Sequence, residues 1–323
     1  MMMTMRRLAA IAVFIALIPA ASAAQDFPTR QIRAIIPFGA GSATDIIPRI
    51  VFDQLSPQLG QPIVVENRTG AGGTLGTNAV AKADPDGYTL LAHSNAFSVA
   101  PAIYANLPYD TINDFAPIAP FGSLAGVLIM APSKGFKTVQ EMVAAAKARP
   151  GTFNFASVGV GSGTHISAEK FKISAGFEAT HVPFRGGPEA LTEVITGRVD
   201  FYFCPINTAL PYIREGKLVA LVTNGAVRIP ELPDVPTTRE AGYRGADFPI
   251  WIGLLAPART PKPVVEKLNA ETIKALKMPA VQERLSKTGV TPLIMTPDEF
   301  SARIKAEIAD NMAVAKAAGI KPN

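Results

Sequence analysis

Twice along this chain a short apolar run ends in a turn of glycine and other small residues, and an apolar stripe at helical spacing begins at once. Ile32-Arg33-Ala34-Ile35-Ile36 passes through Pro37-Phe38 into the small residues 39–43. Ile46, Ile47, Ile50, Val51, Leu55 and Leu59 then recur on one helical face until Gly60 stops it. In the second half, residues 153–156 lead into Ser157-Val158-Gly159-Val160-Gly161-Ser162-Gly163, and residues 164–175 carry a helix. No strict sequence repeat joins the halves, only a repeated architecture. Further strands are expected at 62–65, 88–92, 181–184, 199–204 and 218–223, with a further turn and helix opened by Gly70-Ala71-Gly72-Gly73. Arg185-Gly186-Gly187-Pro188 enters a helix whose first turn suits the proline. Alternating strands and helices imply an α/β fold on a mostly parallel sheet covered on both faces.

At 323 residues the chain exceeds what one ordinary core serves, so two domains are expected. The apolar run Phe248-Pro249-Ile250-Trp251-Ile252-Gly253-Leu254-Leu255-Ala256 reads as a strand crossing between them. Helices at 263–276, 280–287 and 297–317 follow it without further strands, so they should return to the first domain. The expected division is 1–24 as a leader, 25–126 plus 252–323 as lobe 1 and 127–251 as lobe 2, with two crossing strands as hinges.

The leader reading rests on Arg6-Arg7, an unbroken apolar run of 11 residues over 8–18, then Pro19 and small residues through Ala24. That is the order of a secretory signal, cleaved near Ala23 or Ala24 for release into the periplasm. The run is too short to span a bilayer, which takes roughly 20 residues; an uncleaved N-terminal anchor is the alternative. Cleavage removes two arginines and no acid, so the formal charge of +5 becomes +3. A mild basic excess without a basic stripe speaks against nucleic acid. One cysteine excludes a disulfide framework and Cys-rich metal sites, and His93, His165 and His181 lack short metal-ligand spacing. Neither metal nor cofactor is expected.

In an open parallel sheet, ligands bind outside the carboxyl ends of the strands, where turns present backbone N–H groups at the positive end of a helix dipole. Two such turns facing each other would hold a carboxylate between closing lobes. Small residues at Gly41, Ala43, Gly161 and Gly163 admit close approach, and Ser42, Thr44, Ser162 and Thr164 add hydroxyls. The plainer reading is a pair of tight helix entries with Thr44 and Thr164 as N-caps. Asp45 either steadies the first turn or reaches a ligand donor. Asn95 follows a strand into the cleft, and His165 lines the pocket or serves as a cap. Arg185 meets a distal carboxylate or stays solvated, with Gly186 beside it. Phe38 covers the ligand, Cys204 is a small buried hydrophobe or pocket lining, and Trp251 is core or hinge. Gly39-Ala40-Gly41-Ser42-Ala43-Thr44 with Glu66 mimics a dinucleotide fingerprint. Its missing third glycine and the export signal argue against that. No G-x-S-x-G elbow surrounds any serine.

Pro37-Phe38-Gly39-Ala40-Gly41-Ser42-Ala43-Thr44-Asp45 resembles the first-loop motif of the tripartite tricarboxylate transporter receptors, or Bug receptors. Val65-Glu66-Asn67-Arg68-Thr69-Gly70-Ala71-Gly72-Gly73, Ala83-Asp84-Pro85-Asp86-Gly87-Tyr88-Thr89-Leu90-Leu91, Leu107-Pro108-Tyr109-Asp110, His181-Val182-Pro183-Phe184-Arg185-Gly186, Gly216-Lys217-Leu218, Leu232-Pro233-Asp234-Val235-Pro236-Thr237 and Glu240-Ala241-Gly242 extend the likeness in the family's order. The resemblance implies a type II periplasmic binding-protein fold, two α/β lobes joined by crossing strands around a ligand cleft. It further implies delivery of a small organic acid to a membrane permease with a large and a small subunit; the protein itself is expected to be a monomer. Ser42 stands where the family usually has a second consecutive glycine, Gly39 where proline is frequent and Thr69 where proline is usual. Many relatives have an acidic or amide residue near Cys204; a thiol there favours a carboxylate without an amine. An exported hydrolase of a small acid or ester and a ligand sensor for a membrane kinase are the competing readings.

Overall fold

The computed structural model describes residues 27–184, 186–320 and 322. The leader at 1–24 and Arg185 therefore lie outside the described residues.

Strand β1 (Ile32–Ile36) is joined by α1 (Ala43–Leu59) to β2 (Ile63–Asn67), and α2 (Thr74–Ala81) leads to β3 (Thr89–Ser94). Both β2 and β3 lie parallel to β1. Helix α3 (Ala96–Ile103) precedes two strands separated only by Ala125, β4 (Phe115–Leu124) and β5 (Gly126–Met130). The second half contains α4 (Val139–Ala148), β6 (Asn154–Ser157), α5 (Gly163–Ala175), β7 (Thr180–Pro183), α6 (Gly187–Ile195), β8 (Phe201–Pro205), α7 (Ile206–Arg214) and β9 (Val219–Thr223). The chain returns through β10 (Ile250–Pro257), α8 (Lys262–Leu276), α9 (Pro279–Lys287), β11 (Val290–Pro292) and α10 (Pro297–Ala317).

Two sheets result, a six-stranded one in the order β11-β4-β10-β3-β1-β2 and a five-stranded one in the order β7-β6-β8-β5-β9. Both are mixed: β1, β2, β3 and β4 run one way against β10 and β11, and in the second sheet β5 alone runs against the other four. Strand β10 runs antiparallel to β3 and β4, and β5 runs antiparallel to β8 and β9. The strands that begin each crossing thus run against the sheet they enter. Strand β11, absent from the sequence reading, pairs antiparallel with the end of β4, so the C-terminal segment adds a strand as well as helices to the first sheet.

Alternation along the strands sorts the cores. In the first sheet Ala34, Ile36, Ala92 and Leu254 face α1, α8 and α9, while Ile35, Leu91 and Leu255 face α2, α3 and α10. In the second, Phe201 and Phe203 face α4 and α5, while Tyr202 and Cys204 face α6 and α7. Helices on both faces of each sheet bury the apolar residues of the central strands, while Val64 on the edge strand β2 stays exposed.

Asn224, fully buried, ties the two crossings together. Its Oδ1 accepts the N–H of Gly126 at 2.6 Å, and its Nδ2 donates to Phe248 O at 3.1 Å and Ser167 Oγ at 2.9 Å. Between the lobes, Val99 and Ile103 of α3 cluster with Ile166 of α5 and Phe248, and Lys170 of α5 pairs with Asp310 of α10.

Candidate functional site

The two small-residue turns are more alike than architecture alone required. Gly39-Ala40-Gly41-Ser42-Ala43-Thr44-Asp45 and Gly159-Val160-Gly161-Ser162-Gly163-Thr164-His165 share a seven-residue pattern, visible in the sequence once the turns are aligned. Gly41 and Gly161 take φ of 80° and 77°, a left-handed conformation that glycine adopts without strain. Ser42 and Ser162 are the N-cap residues, with φ/ψ of −72°/160° and −67°/156°. Each serine N–H reaches back 3.2 Å to the carbonyl of Gly39 or Gly159. The caps are therefore serines, not the threonines two residues on.

Side chains then divide the two turns. In the first, Asp45 Oδ2 accepts the N–H of Gly41 at 2.9 Å, and its Oδ1 accepts from Arg49 Nε and Asn67 Nδ2, each at 2.9 Å. Burial opposes ionisation of Asp45, but the bonds from Asn67, Gly41 and Arg49 outweigh it and hold the carboxyl below its ordinary range. Asn67 also donates to Phe38 O at 2.9 Å. Both Asp45 oxygens thus hold the turn in shape. The buried Ser42 hydroxyl has no partner.

In the second turn, Ser162 Oγ donates to Gly159 O at 2.7 Å and accepts from His165 N at 3.2 Å, while Thr164 Oγ1 accepts the N–H of Val158 at 3.1 Å. His165 Nδ1 accepts the N–H of Gly161 at 3.2 Å, the place Asp45 takes in the first turn. The ring stacks on His181 at 3.9 Å, and His181 stacks on Phe155 at 5.0 Å and bonds Ser157 Oγ at 2.6 Å. Burial, followed by the neighbouring His181 and Lys172, lowers the His165 pKa to about 3; burial and Lys172 lower that of His181 to about 4. Both rings are neutral at pH 7.

Asn95 joins the two halves. It is 1% exposed, its N–H donates to Trp251 O at 3.1 Å, and Ser98 Oγ donates to its carbonyl at 2.8 Å, so the backbone is fixed. Its side-chain Oδ1 and Nδ2 both lack partners. That amide faces the start of α5: a Cβ built on Gly163 would stand 3.1 Å from Asn95 Oδ1 and 3.3 Å from Ile250 Cγ1. One built on Gly161 would come within 2.9 Å of Ile103. The first two N–H groups of α5, on Gly163 and Thr164, have no carbonyl one helical turn earlier to meet them, and the same holds for Ala43 and Thr44 in α1.

Of the remaining residues singled out in the sequence, Phe38 is half-buried and edges His93 at 5.3 Å. Gly186 caps α6. Cys204 is fully buried, packs beneath α6 and α7, and has a thiol pushed well above its usual pKa by burial. Trp251 is buried in β10 and donates its indole N–H to Glu307 Oε2 at 2.6 Å. Among the described residues no group of three or more His, Cys, Asp or Glu side chains is placed to hold a metal, and no helix is long and apolar enough to cross a membrane. Sequence reasoning missed His93, Ile103, Asn224 and Ile250 around the cleft. Asn67 stood in one of the resembling motifs, yet its partnership with Asp45 had no local signal.

Residues 47–320 match the family profile described as tripartite tricarboxylate transporter family receptor. Protein BugT of Bordetella pertussis is 35% identical over 320 residues, which is 98% of each chain. Among solved structures, MatC from Rhodopseudomonas palustris with bound malate superimposes with a TM-score of 0.79 at 34% identity, over 90% of this chain and 100% of that one. An R. palustris protein with adipate gives a TM-score of 0.83 at 31% identity, over 92% of this chain and 100% of that one.

Proposed function

Because the chain belongs to the tripartite tricarboxylate transporter receptor family, we propose that it is a periplasmic receptor that captures a small organic carboxylate between its lobes and hands it to a membrane permease. Residues 25–126 with 252–323 and residues 127–251 are, in this proposal, the two bodies that close on the ligand. The observation that carries the reading is Asn95. A buried amide with neither atom paired is costly unless a ligand or water satisfies it, and this one faces the N-terminal end of α5. Such an end favours an anion, and the N–H groups of Gly163 and Thr164 with Asn95 Nδ2 form a donor set for one carboxylate. Phe38, which leads into the first turn, packs edge-on against His93. Ligand capture without chemistry fits the same geometry, since both Asp45 oxygens are engaged in the turn and Ser157 Oγ, 2.6 Å from His181 Nε2, also donates to Gly159 O at 3.0 Å.

Calorimetric titration with malate and with adipate, followed by recovery of each compound, tests the proposal. The expected result is saturable 1:1 binding with the acid recovered unchanged. Asn95→Ala should weaken the affinity by about 10–100-fold, the range for a hydrogen bond to a charged group. Turnover of the bound acid would sink the receptor reading.

A further inference from the structure

The duplicated turn contains its own control experiment. At the seventh position the first copy has Asp45 and the second has His165, and each accepts the glycine N–H four residues earlier, at 2.9 Å and 3.2 Å. The backbone φ values of the two copies agree within a few degrees at the glycine and at the serine. The acceptors differ in charge. Asp45 brings a carboxylate to the positive end of α1, where Arg49 and Asn67 secure it. His165 accepts through an unprotonated Nδ1 and therefore brings no charge to the positive end of α5. Around it stand His181 at 3.9 Å between ring centroids and Glu169 at 3.8 Å, and Glu169 is itself paired with Lys172 at 2.8 Å.

The hydroxyls differ in the same sense. Ser162 and Thr164 spend theirs within the second turn, leaving it backbone N–H groups and the unpaired, buried Asn95 amide. Ser42 has a free hydroxyl, able to donate or accept.

We infer that the two copies of the turn divide the ligand by charge: the α5 turn takes the carboxylate, and the α1 turn, which already holds a carboxylate of its own in Asp45, takes an uncharged or proton-donating group through Ser42. This rests on the receptor reading above and deepens it, because it assigns the ligand's orientation and makes His165 and Asp45 determinants of which acids are accepted. A neutral acceptor at the second turn leaves the positive end of α5 to the ligand. At the first turn the carboxylate of Asp45, paired with Arg49, already meets the positive end of α1, so a second carboxylate gains little there.

The test exchanges the acceptors. The first turn demonstrates that aspartate at this position can accept the glycine N–H, so His165→Asp is sterically provided for; His165→Asn supplies a neutral acceptor of nearly the same size. Cooperative melting of each variant is checked by circular dichroism. Malate binding should be weaker in His165→Asp than in His165→Asn by at least ~10-fold, since one added unit charge a few ångströms from a carboxylate is worth that much even when partly screened. In Asp45→Asn, the preference for adipate over hexanoate should rise by about 3-fold or more, because the second carboxylate no longer meets Asp45. Equal effects of His165→Asp and His165→Asn, or an unchanged adipate-to-hexanoate ratio in Asp45→Asn, would overturn the division by charge while leaving the receptor intact. A wild type silent to malate, adipate and hexanoate would overturn the carboxylate reading and this division with it.

Discussion

Gly41 offers its N–H to a carboxylate that Arg49 and Asn67 also grip, whereas Gly161 offers its N–H to one ring of a stack formed with His181 and Phe155. One backbone shape is thus held by charge in the first lobe and by capping hydroxyls and neutral aromatic packing in the second. The lesson is that this turn is specified by its glycine and serine positions, while the residue that secures it is free to set the local charge. The two turns are anchored differently as well. Helix α1 is tied to β2 through Asn67, and α5 is tied to the hinge through Ser167 and Asn224.

That difference is breakable at several points. The largest effect on stability is expected at the hinge. Asn224→Ala leaves the buried Gly126 N–H and Phe248 carbonyl unpaired and should cost about 2–4 kcal/mol in chemical denaturation, at about 1–2 kcal/mol for each group orphaned. A value below about 1 kcal/mol would show that the crossings, and α5 with them, do not depend on this side chain.

Acid should separate the turns next. His93, at about 4, and His165 and His181, at about 3 and 4, are held neutral in the folded protein below their unfolded value of about 6.5. The unfolded chain binds more protons in that window, so stability must fall as pH drops from about 6.5 toward 4. Asp45, whose pKa is lowered, retains its contribution until pH falls below the ordinary carboxylate range. Melting temperature followed from pH 7 to 4.5 should therefore decline, His165→Asn should flatten the decline, and Asp45→Asn should leave its slope unchanged. An Asp45→Asn slope as shallow as that of His165→Asn would contradict the separation.

Ser162→Ala should destabilise by about 1 kcal/mol through loss of its cap, whereas Ser42→Ala, with no bond to lose, should stay within about 0.5 kcal/mol of wild type and register in ligand affinity instead. Denaturant midpoints of the pair decide the point.

Much of this arrangement is legible in the sequence, and the exceptions have physical causes. The turns were readable because glycine, serine and an apolar stripe at 3.6-residue spacing are local signals. Strand β4 was not, because Pro117 and Pro120 read as breakers; β11 pairs only with Gly122–Leu124, which leaves that stretch an edge where proline N–H groups are not missed, and the register with β10 shifts nearby. The antiparallel setting of β5 and β10 follows from chain crossings that no window of sequence contains. Asn95 was picked out as a cleft residue from its place after a strand. Its clamp by Trp251 and Ser98, like the hinge bonds of Asn224 to Gly126 across 98 positions, depends on the completed fold.

A crystal structure with malate or adipate bound decides whether a carboxylate sits between the two copies of the turn. Carboxylate oxygens are expected within hydrogen-bonding distance of the Gly163 and Thr164 N–H groups and of Asn95 Nδ2. A ligand seated outside the cleft, or with its carboxylate against the Asp45 turn, would contradict that placement.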